Sequence, residues 1–192
     1  MKILLLDAHP DPASLCAGLA RSYLGGATEG GRHEVRFAAL RELHFNPVLQ
    51  HGYRQRTELE ADLLGQQESI RWCEHLVVVT PLWWMSAPAL LKGYFDRVFL
   101  PGFAFKYRDD SPLWDRLLSG RSARVIYTQD SPQWFARFFR GDAFWRALNH
   151  GTLGFAGFSP VRRTIFAQVR KSTPATREHW LAQTRRLGET AG

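Results

Sequence analysis

The order of apolar and polar positions alternates between two patterns along the chain. Short apolar runs closed by polar or proline residues are typical of strands buried on both faces of a parallel sheet. Between them lie longer segments whose apolar residues fall on one helical face, bounded by capping residues or glycine. The predicted strands are Lys2–Asp7, His33–Leu40, His75–Thr80, Ser122–Thr128 and Val161–Phe166. The predicted helices are Leu15–Leu24, Tyr53–Glu74, Ala89–Phe99, Phe144–Gly154 and Ala175–Leu187.

Five strands separated by helices predict an α/β fold. Right-handed crossovers between parallel strands place successive helices on defined sides of the sheet, so that both faces are covered. A flavodoxin-like three-layer sandwich, with a five-stranded parallel sheet in the order 2-1-3-4-5, accommodates this pattern. We expect residues 1–192 to form a single domain of this kind, with long loops near 41–52, 100–121 and 129–142.

Composition narrows the class of protein. With 192 residues, 45% of them hydrophobic, the chain is long enough for one core and short for two domains. Its longest uncharged stretch, His75–Leu91, contains prolines, so no membrane insertion is predicted. The apolar run Ile3–Leu6 is too short for an export signal, and Cys16 and Cys73 have neither a disulfide nor a zinc-ligand spacing. We therefore expect a cytoplasmic protein without a metal site.

The net charge of +7 is concentrated near the C-terminus. Residues 1–120 hold 13 basic and 14 acidic residues, whereas residues 121–192 hold 12 and 4. Such an excess can serve nucleic acid, anionic lipid or a phosphorylated cofactor such as NADPH. Only 4 of the 25 basic residues are lysine, which favours a general arginine-rich composition. No helix-turn-helix, RRM or zinc pattern accompanies the charge, and we expect no nucleic-acid partner.

The loop after the first strand has the chemistry of a phosphate site. His9 and Ser14 precede a predicted helix, whose first amide N–H groups have no intrahelical acceptor and suit an anion. The loop is neither a GxGxxG nor a GxxxxGK[ST] motif, so the common dinucleotide and nucleotide loops are excluded. Ser14 alone is explained equally well as a helix N-cap.

The loop after the third strand is unusually apolar. Trp83, Trp84 and Met85 stand where a loop is normally polar. Two tryptophans could simply cover the end of the core. Because this loop should lie beside the switch point of the sheet, we favour a flat heteroaromatic ligand such as an isoalloxazine, with backbone groups pairing its edge.

A longer segment, which includes this apolar loop, resembles a known protein family. The segment Pro81–Phe99, with Gly102–Phe105 behind it, looks like the NAD(P)H:quinone oxidoreductase family of flavodoxin-like flavoproteins. The Ala8–Pro10 segment with Ser14 resembles the phosphate loop of that family, and Gly154–Phe158 resembles the segment leading into its last strand. The resemblance covers nearly the whole chain.

The resemblance implies a ping-pong oxidoreductase that uses NAD(P)H, flavin and a small-molecule acceptor such as a quinone, azo or nitro compound. The flavin would be FMN or FAD, with FMN favoured, and the chain would form a homodimer. The phosphate and ribityl end would contact His9, Ser14, Leu15 and Cys16. The ring would be bordered by Pro81, Leu82, Trp83, Trp84 and Met85, and closed by Thr128, Gln129 and Asp130.

Two departures from the family affect the predicted site. Gln129 and Asp130 stand where relatives have two glycines that admit the ring, and Trp134 and Arg140 stand where quinone reductases have a tyrosine and a histidine. Trp134 and Arg140 are therefore candidates for the catalytic positions. Arg140 could neutralise a reduced flavin, or it could be an ordinary surface cation. Phe103, Phe105 and Trp134 are predicted to line the substrate pocket.

A second class of function follows from the same departures. A flavodoxin-like regulatory subunit, which binds a transporter or another partner with little turnover, would tolerate the changes at Gln129, Asp130 and Arg140. Oxidation of NADPH in the presence of a quinone separates an enzyme from such a subunit.

Overall fold

A computed structural model describes residues 1–191. Its strands are β1 (Lys2–Asp7), β2 (Glu34–Ala39), β3 (His75–Pro81), β4 (Phe105–Tyr107), β5 (Trp114–Arg116), β6 (Ser122–Gln129) and β7 (Val161–Ala167). The parallel sheet has the order β2-β1-β3-β6-β7, while β4 pairs antiparallel with β5. The predicted flavodoxin-like order 2-1-3-4-5 is thereby confirmed.

Helices cover both faces of this sheet. They are α1 (Leu15–Thr28), α2 (Ala61–Trp72), α3 (Ala89–Val98), α4 (Gln133–Phe139), α5 (Ala143–Arg146), α6 (Gly154–Ala156) and α7 (Pro174–Thr190). Ser14 and Thr173 cap the first and last of them, each accepting an amide hydrogen bond through its hydroxyl oxygen. None of the helices in the described part of the chain combines the length and the hydrophobicity that a bilayer crossing demands.

The alternation of side chains along the strands divides the core in two. Ile3, Val77 and Ile126 face α1 and α7, where they pack with Tyr23 and Trp180. The neighbouring strand positions face α2, α3 and α5 in a larger cluster, whose members include Leu4, Leu76, Val125, Leu63, Leu91 and Phe144. Because both faces are buried, the central strands are apolar at almost every position.

The predicted helix over Tyr53–Glu74 is too long at its N-terminal end. The helix begins at Ala61, because the segment before it is needed as a hydrogen-bond acceptor for Arg97. The guanidinium of Arg97 is almost completely buried and donates to the Glu58 carbonyl oxygen at 2.9 Å and to the Glu60 carboxylate at 2.8 Å. A buried guanidinium requires such partners, and helix formation would withdraw the carbonyl.

Two of the predicted loops contain regular structure. The 100–121 segment holds the β4–β5 hairpin, and the 129–142 segment holds α4. The helix predicted over Phe144–Gly154 is real but irregular, since α5 continues through a π-helical turn at Ala147–Leu153 into α6. Gly154 permits this turn, because a Cβ at that position would lie 2.3 Å from the Asn149 carbonyl oxygen.

Candidate active site

Three loops meet at the carboxyl edge of the sheet, between β1, β3 and β6. The Ala8 amide donates to the Val79 carbonyl oxygen at 2.9 Å, and the Leu82 amide donates to the Thr128 carbonyl oxygen at 2.8 Å. We call this place the edge cleft and define it by residues 9–16, 81–86 and 128–130. It lies at the switch point of the strand order, where open α/β sheets bind ligands.

His9 is held in one orientation by its own loop. Asp7, buried at the end of β1, accepts the His9 amide at 3.2 Å and pairs with Arg41 at 2.5 Å. Arg41 also donates to the His9 carbonyl oxygen at 3.3 Å. The ring Nδ1 accepts the Asp11 amide at 3.0 Å, so Nε2 carries the proton of the neutral ring. Burial lowers the pKa of His9, which keeps the imidazole a neutral donor at pH 7.

The N-terminus of α1 is the second element of the edge cleft. The Ser14 hydroxyl oxygen accepts the Ala17 amide at 3.2 Å, as an N-cap does, and its own hydrogen stays available to a ligand. Leu15 and Cys16 lie in the first helical turn, where amide N–H groups have no intrahelical acceptor. Ser14 can therefore be both a helix N-cap and a phosphate-binding residue, since one hydroxyl can accept the Ala17 amide and donate its own hydrogen to a ligand.

Cys16 and Thr128 join the first loop to the third. The Cys16 sulfur lies 3.3 Å from the Thr128 hydroxyl, and both side chains are buried. Burial raises the pKa of Cys16 to about 12, although the Thr128 hydrogen bond opposes this shift. The thiol is therefore neutral near pH 7 and acts as a packing and hydrogen-bonding group.

A strained turn presents the tryptophans. Trp83 and Ser86 exchange backbone hydrogen bonds at 3.0 and 2.8 Å, which closes a two-residue turn over Trp84 and Met85. Both central residues have positive φ, 51° and 60°, in a conformation normally taken by Asn-Gly. Bulky residues in this region cost about 1–3 kcal/mol each, and such strain is concentrated at functional sites. Trp84 is completely exposed at the tip.

Trp83 connects this turn to the first loop. Its indole meets the His9 imidazole edge to face, with ring centroids 5.5 Å apart. The predicted phosphate loop and the predicted ring-binding loop thus touch through one aromatic pair. Pro81 is buried, and Leu82 and Met85 are half-buried beside the turn.

The side chain of Gln129 is held within its own loop, and that of Asp130 is tied to the loop after β7. Gln129 is buried and donates through its side-chain amide to the Ser131 carbonyl oxygen at 2.8 Å. Asp130 accepts the Arg170 amide at 3.0 Å and pairs with the Arg170 guanidinium at 3.4 Å. Asp130 therefore anchors the loop after β6 to the loop after β7, and a two-glycine loop would lack both the Asp130 and the Gln129 contacts.

The candidates Trp134 and Arg140 lie at the two ends of α4, which follows β6 at the same edge of the sheet. Trp134 is exposed and meets Phe139 edge to face at 6.0 Å. The Arg140 guanidinium lies 5.5 Å from the Phe135 ring centroid, in a cation–π contact. Phe138 and Phe139 add further exposed aromatic surface.

Phe103 and Phe105 belong to the larger core cluster, against which Leu82 also packs. Both are buried in the core on the α2 and α3 side of the sheet. Phe103 borders a cavity of about 730 Å³ beneath the 49–59 loop, and Phe105 borders one of about 290 Å³ beside α3. Each is therefore a core residue at the wall of a cavity, while Trp84 and Trp134 are exposed.

Sequence analysis does not predict the ion pair that orients the loop after β1. The sequence predicts Asp7 only as the end of a strand and Arg41 only as part of a loop, yet together they bind the amide and the carbonyl oxygen of His9. An aspartate closing a fully apolar strand is the one available signal, because a buried carboxylate requires a cationic or amide partner. The identity of that partner depends on tertiary structure.

Comparisons with known proteins agree with this geometry. A family model described as flavodoxin-like fold matches residues 1–187. A ribosyldihydronicotinamide dehydrogenase-like protein of Penicillium crustosum is 30% identical over 90% of this chain and 75% of its own length. The crystal structure of the Smu.1420 protein from Streptococcus mutans superposes with a TM-score of 0.85 and 29% identity, covering 99% of this chain and all of that chain.

A third comparison names an activity. An NAD(P)H:quinone oxidoreductase from Methanothermobacter marburgensis has a TM-score of 0.82 and 25% identity, with coverage of 100% of this chain and 99% of its own. With the family match, these similarities establish that the chain belongs to the NAD(P)H:quinone oxidoreductase family of flavodoxin-like proteins and is an oxidoreductase.

Proposed function

We propose that this protein is a flavin-dependent NAD(P)H oxidoreductase that reduces quinones or related electron-poor compounds in a ping-pong cycle. The contact between His9 and Trp83 carries the proposal, because it joins a phosphate-binding end to a ring-binding end in a single cleft. Family membership supports the same chemistry.

The donor set of the edge cleft fits a flavin phosphate. Nε2 of neutral His9, the Ser14 hydroxyl and the first-turn amides of Leu15 and Cys16 are all donors, and the helix N-terminus adds a favourable dipole. A phosphate group offers acceptors only. One phosphate-binding end beside one ring-binding end complements FMN, which we favour over FAD.

The turn over Trp84 and Met85 supplies the ring-binding surface. The indole of Trp83 lies against His9, and the exposed indole of Trp84 offers a flat apolar face on which a ring or an acceptor stacks. Leu82 leads into this surface, while Thr128 with Cys16 closes its base. A bound flavin would supply hydride and electron transfer between NAD(P)H and the acceptor.

The residues of the chain position the reactants. The Asp7–Arg41 pair holds the His9 loop in place, and the Asp130–Arg170 pair holds the opposite wall. Arg140, fixed over Phe135 at the end of α4, is the cation we propose for stabilising negative charge in the reduced site. Trp134 would border the acceptor.

Dimer formation is a further part of the proposal. Trp84, Trp134, Phe138 and Phe139 are exposed near the same edge of the sheet, and exposed apolar surface of this kind marks an interaction site. A second copy of the chain would cover it and complete the acceptor pocket. We place the protein in the cytoplasm, in keeping with its two free, buried cysteines.

Two experiments test the proposal: steady-state kinetics, and identification of the cofactor that the protein releases. The purified protein, saturated with FMN, should oxidise NADPH or NADH when menadione is present, with the parallel double-reciprocal lines of a ping-pong cycle. Chromatography of the cofactor that acid releases from the protein as purified, before any FMN is added, identifies FMN or FAD. Bound flavin without turnover would favour the regulatory-subunit alternative, and failure to bind either flavin would overturn the proposal.

Two matched variants test whether the charge of Arg140 takes part in the reaction. Arg140→Gln should lower kcat by about ten-fold or more if the cation acts in the reaction, whereas Arg54→Gln, which removes a cation from an exposed loop, should leave kcat unchanged. Light scattering of the native protein measures the oligomeric state. A monomer with full activity would exclude the dimer as part of the site.

A further inference from the structure

A cavity of about 730 Å³ lies beside α2, on the face of the sheet that α1 does not cover. Its walls come from residues 49–59 of the loop before α2, residues 64–71 of α2 and residues 100–103 after α3. We call it the α2 cavity. It shares no residue with the edge cleft, and its volume falls in the range of small-molecule pockets, about 300–1,000 Å³. It is therefore a candidate for a second binding site.

One guanidinium holds both ends of the loop that covers the α2 cavity. Arg97 of α3 donates to the Asn46 carbonyl oxygen before the loop and to the Glu58 carbonyl oxygen at 2.9 Å after it. The Glu60 carboxylate accepts from the same guanidinium at 2.8 Å. A surface loop whose ends lie together is an Ω loop, and such loops frequently have a function. The 47–57 loop is therefore anchored at its ends as a cover, while residues 50–56 are exposed.

The walls of the α2 cavity are mainly aliphatic. Five apolar side chains from three segments line them: Leu49, Leu59, Leu64, Leu100 and Pro101. The aromatic ring of Phe103 also borders the cavity, but its side chain is only 7% exposed. The Arg71 guanidinium already lies over this ring, 4.9 Å from its centroid. Phe103 therefore offers little surface for stacking, and an aliphatic chain suits these walls better than a planar ring.

Two arginines at the α2 cavity have no counter-charge in the described chain. Arg56 and Arg71 both line the cavity, and both are exposed. Within residues 1–191, no carboxylate lies within 4.0 Å of either guanidinium. Glu58 is the one acidic residue among those that line the cavity, so the two guanidinium groups outnumber it. The α2 cavity thus combines aliphatic walls with an excess of positive charge.

We propose that the α2 cavity binds a medium-chain aliphatic carboxylic acid in its ionised form. The chain lies against the leucine walls, which water hydrates unfavourably when the cavity is empty of ligand. The carboxylate accepts hydrogen bonds from Arg56 and Arg71, since the guanidinium fork matches the two oxygens of a carboxylate. The inference does not rest on the proposed flavin chemistry, because the α2 cavity and the edge cleft have no residue in common.

Amide NMR spectra of the full chain, titrated with decanoate below its micelle concentration, test this site. The titration is run with and without saturating FMN, so that binding in the edge cleft is recognised by its loss when flavin is present. Decanoate should shift the amides of Gly52 and Gly102, at the cavity wall, saturably in both titrations. Hexanoate, with four fewer methylene groups, should bind at least about ten-fold more weakly, and so should decanol, which lacks the charge.

Arg56→Gln and Arg54→Gln form a matched pair, because each removes one charge from the same exposed loop and only Arg56 lines the cavity. Arg56→Gln should weaken decanoate binding about ten-fold, equivalent to about 1.4 kcal/mol, and Arg54→Gln should leave it unchanged. Equal weakening in the two variants would overturn the proposal. So would decanol binding as tightly as decanoate, or the absence of saturable shifts at Gly52 and Gly102.

Discussion

The sulfur of Cys16 lies 3.3 Å from the hydroxyl oxygen of Thr128, and this contact fastens the first turn of α1 to the end of β6. Two segments more than one hundred positions apart in sequence thereby share one buried hydrogen bond. The loop after β1 and the loop after β6 can then border a common ligand without a covalent link. The same burial that stabilises this contact determines the chemistry of the thiol.

Cys16 should be inert to alkylation in the native protein. Thiolate is the reactive form, and burial raises the pKa of Cys16 to about 12 and that of Cys73 to about 11. Iodoacetamide at pH 8 should modify neither thiol in the folded chain and both after denaturation. Mass spectrometry of tryptic peptides measures the labelling. Rapid native labelling of Cys16 would contradict the buried contact with Thr128.

Arg41→Met should destabilise the protein and disorder the loop after β1. The substitution leaves the carboxylate of Asp7 buried and unpaired, which costs about 3 kcal/mol. Because His9 is held through both residues, flavin affinity should fall as well. Urea unfolding and a flavin titration measure the two effects.

The matched control for that experiment is Arg108→Met. Arg108 forms a pair with Asp115 at 2.6 Å, but both side chains are largely exposed. Loss of an exposed pair costs less than about 1 kcal/mol, and flavin affinity should not change. Equal destabilisation by the two substitutions would show that the Asp7 pair has no special role.

Stability should decline on acidification through the ordinary range of histidine. Burial lowers the pKa of His75 from 6.5 to about 4, so between these values the unfolded chain binds a proton that the folded chain does not. The free energy of unfolding therefore falls as pH decreases from 6.5 toward 4, by at most about 1.4 kcal/mol per pH unit for this group. Burial also lowers the pKa of His9, so this histidine contributes to the slope with the same sign.

His75→Asn should flatten that slope, whatever its effect on stability at pH 7. His44, whose side chain is 97% exposed, provides the control, and His44→Asn should keep the full slope. Urea unfolding in buffers without phosphate, repeated between pH 4 and pH 7, gives the comparison. An unchanged slope in His75→Asn would assign the acid sensitivity to other groups.

Strand order was predictable because its physical causes are local. The apolar runs that became β1, β3 and β6 are buried on both faces, and the intervening helices require a parallel sheet. The start of α2 was not predictable, because it depends on Arg97 reaching the Glu58 carbonyl oxygen from another helix. The same limit applies to Arg41, whose partner Asp7 lies 34 positions away.

The sequence predicts which loops border the edge cleft, but it does not predict the backbone conformation of the turn that presents the tryptophans. Trp83 and Trp84 are candidate binding residues because an apolar loop is unusual, and the strand order brings their loop beside the His9 loop. Positive φ at Trp84 and Met85 could not be inferred, since neither residue favours that conformation. Phe103 and Phe105 stay predictions as pocket residues, since both are buried in the core and each borders a cavity.

Trp84→Gly should make the protein more stable and bind flavin less tightly. Glycine adopts a φ of 51° without the clash that tryptophan suffers, and relief of this strain should raise the free energy of unfolding by about 1 kcal/mol. Loss of the exposed indole should raise the flavin Kd about ten-fold, since an aromatic stacking contact contributes roughly 0.5–1.5 kcal/mol beyond its buried area.

Ala191→Gly is the control, because it relieves a similar φ of 49° at the end of α7 and should stabilise the protein without any change in the flavin Kd. Urea unfolding of the flavin-free protein and fluorescence titration with FMN measure both quantities. If Trp84→Gly bound flavin as tightly as the unaltered chain, the strained turn would have no part in the site.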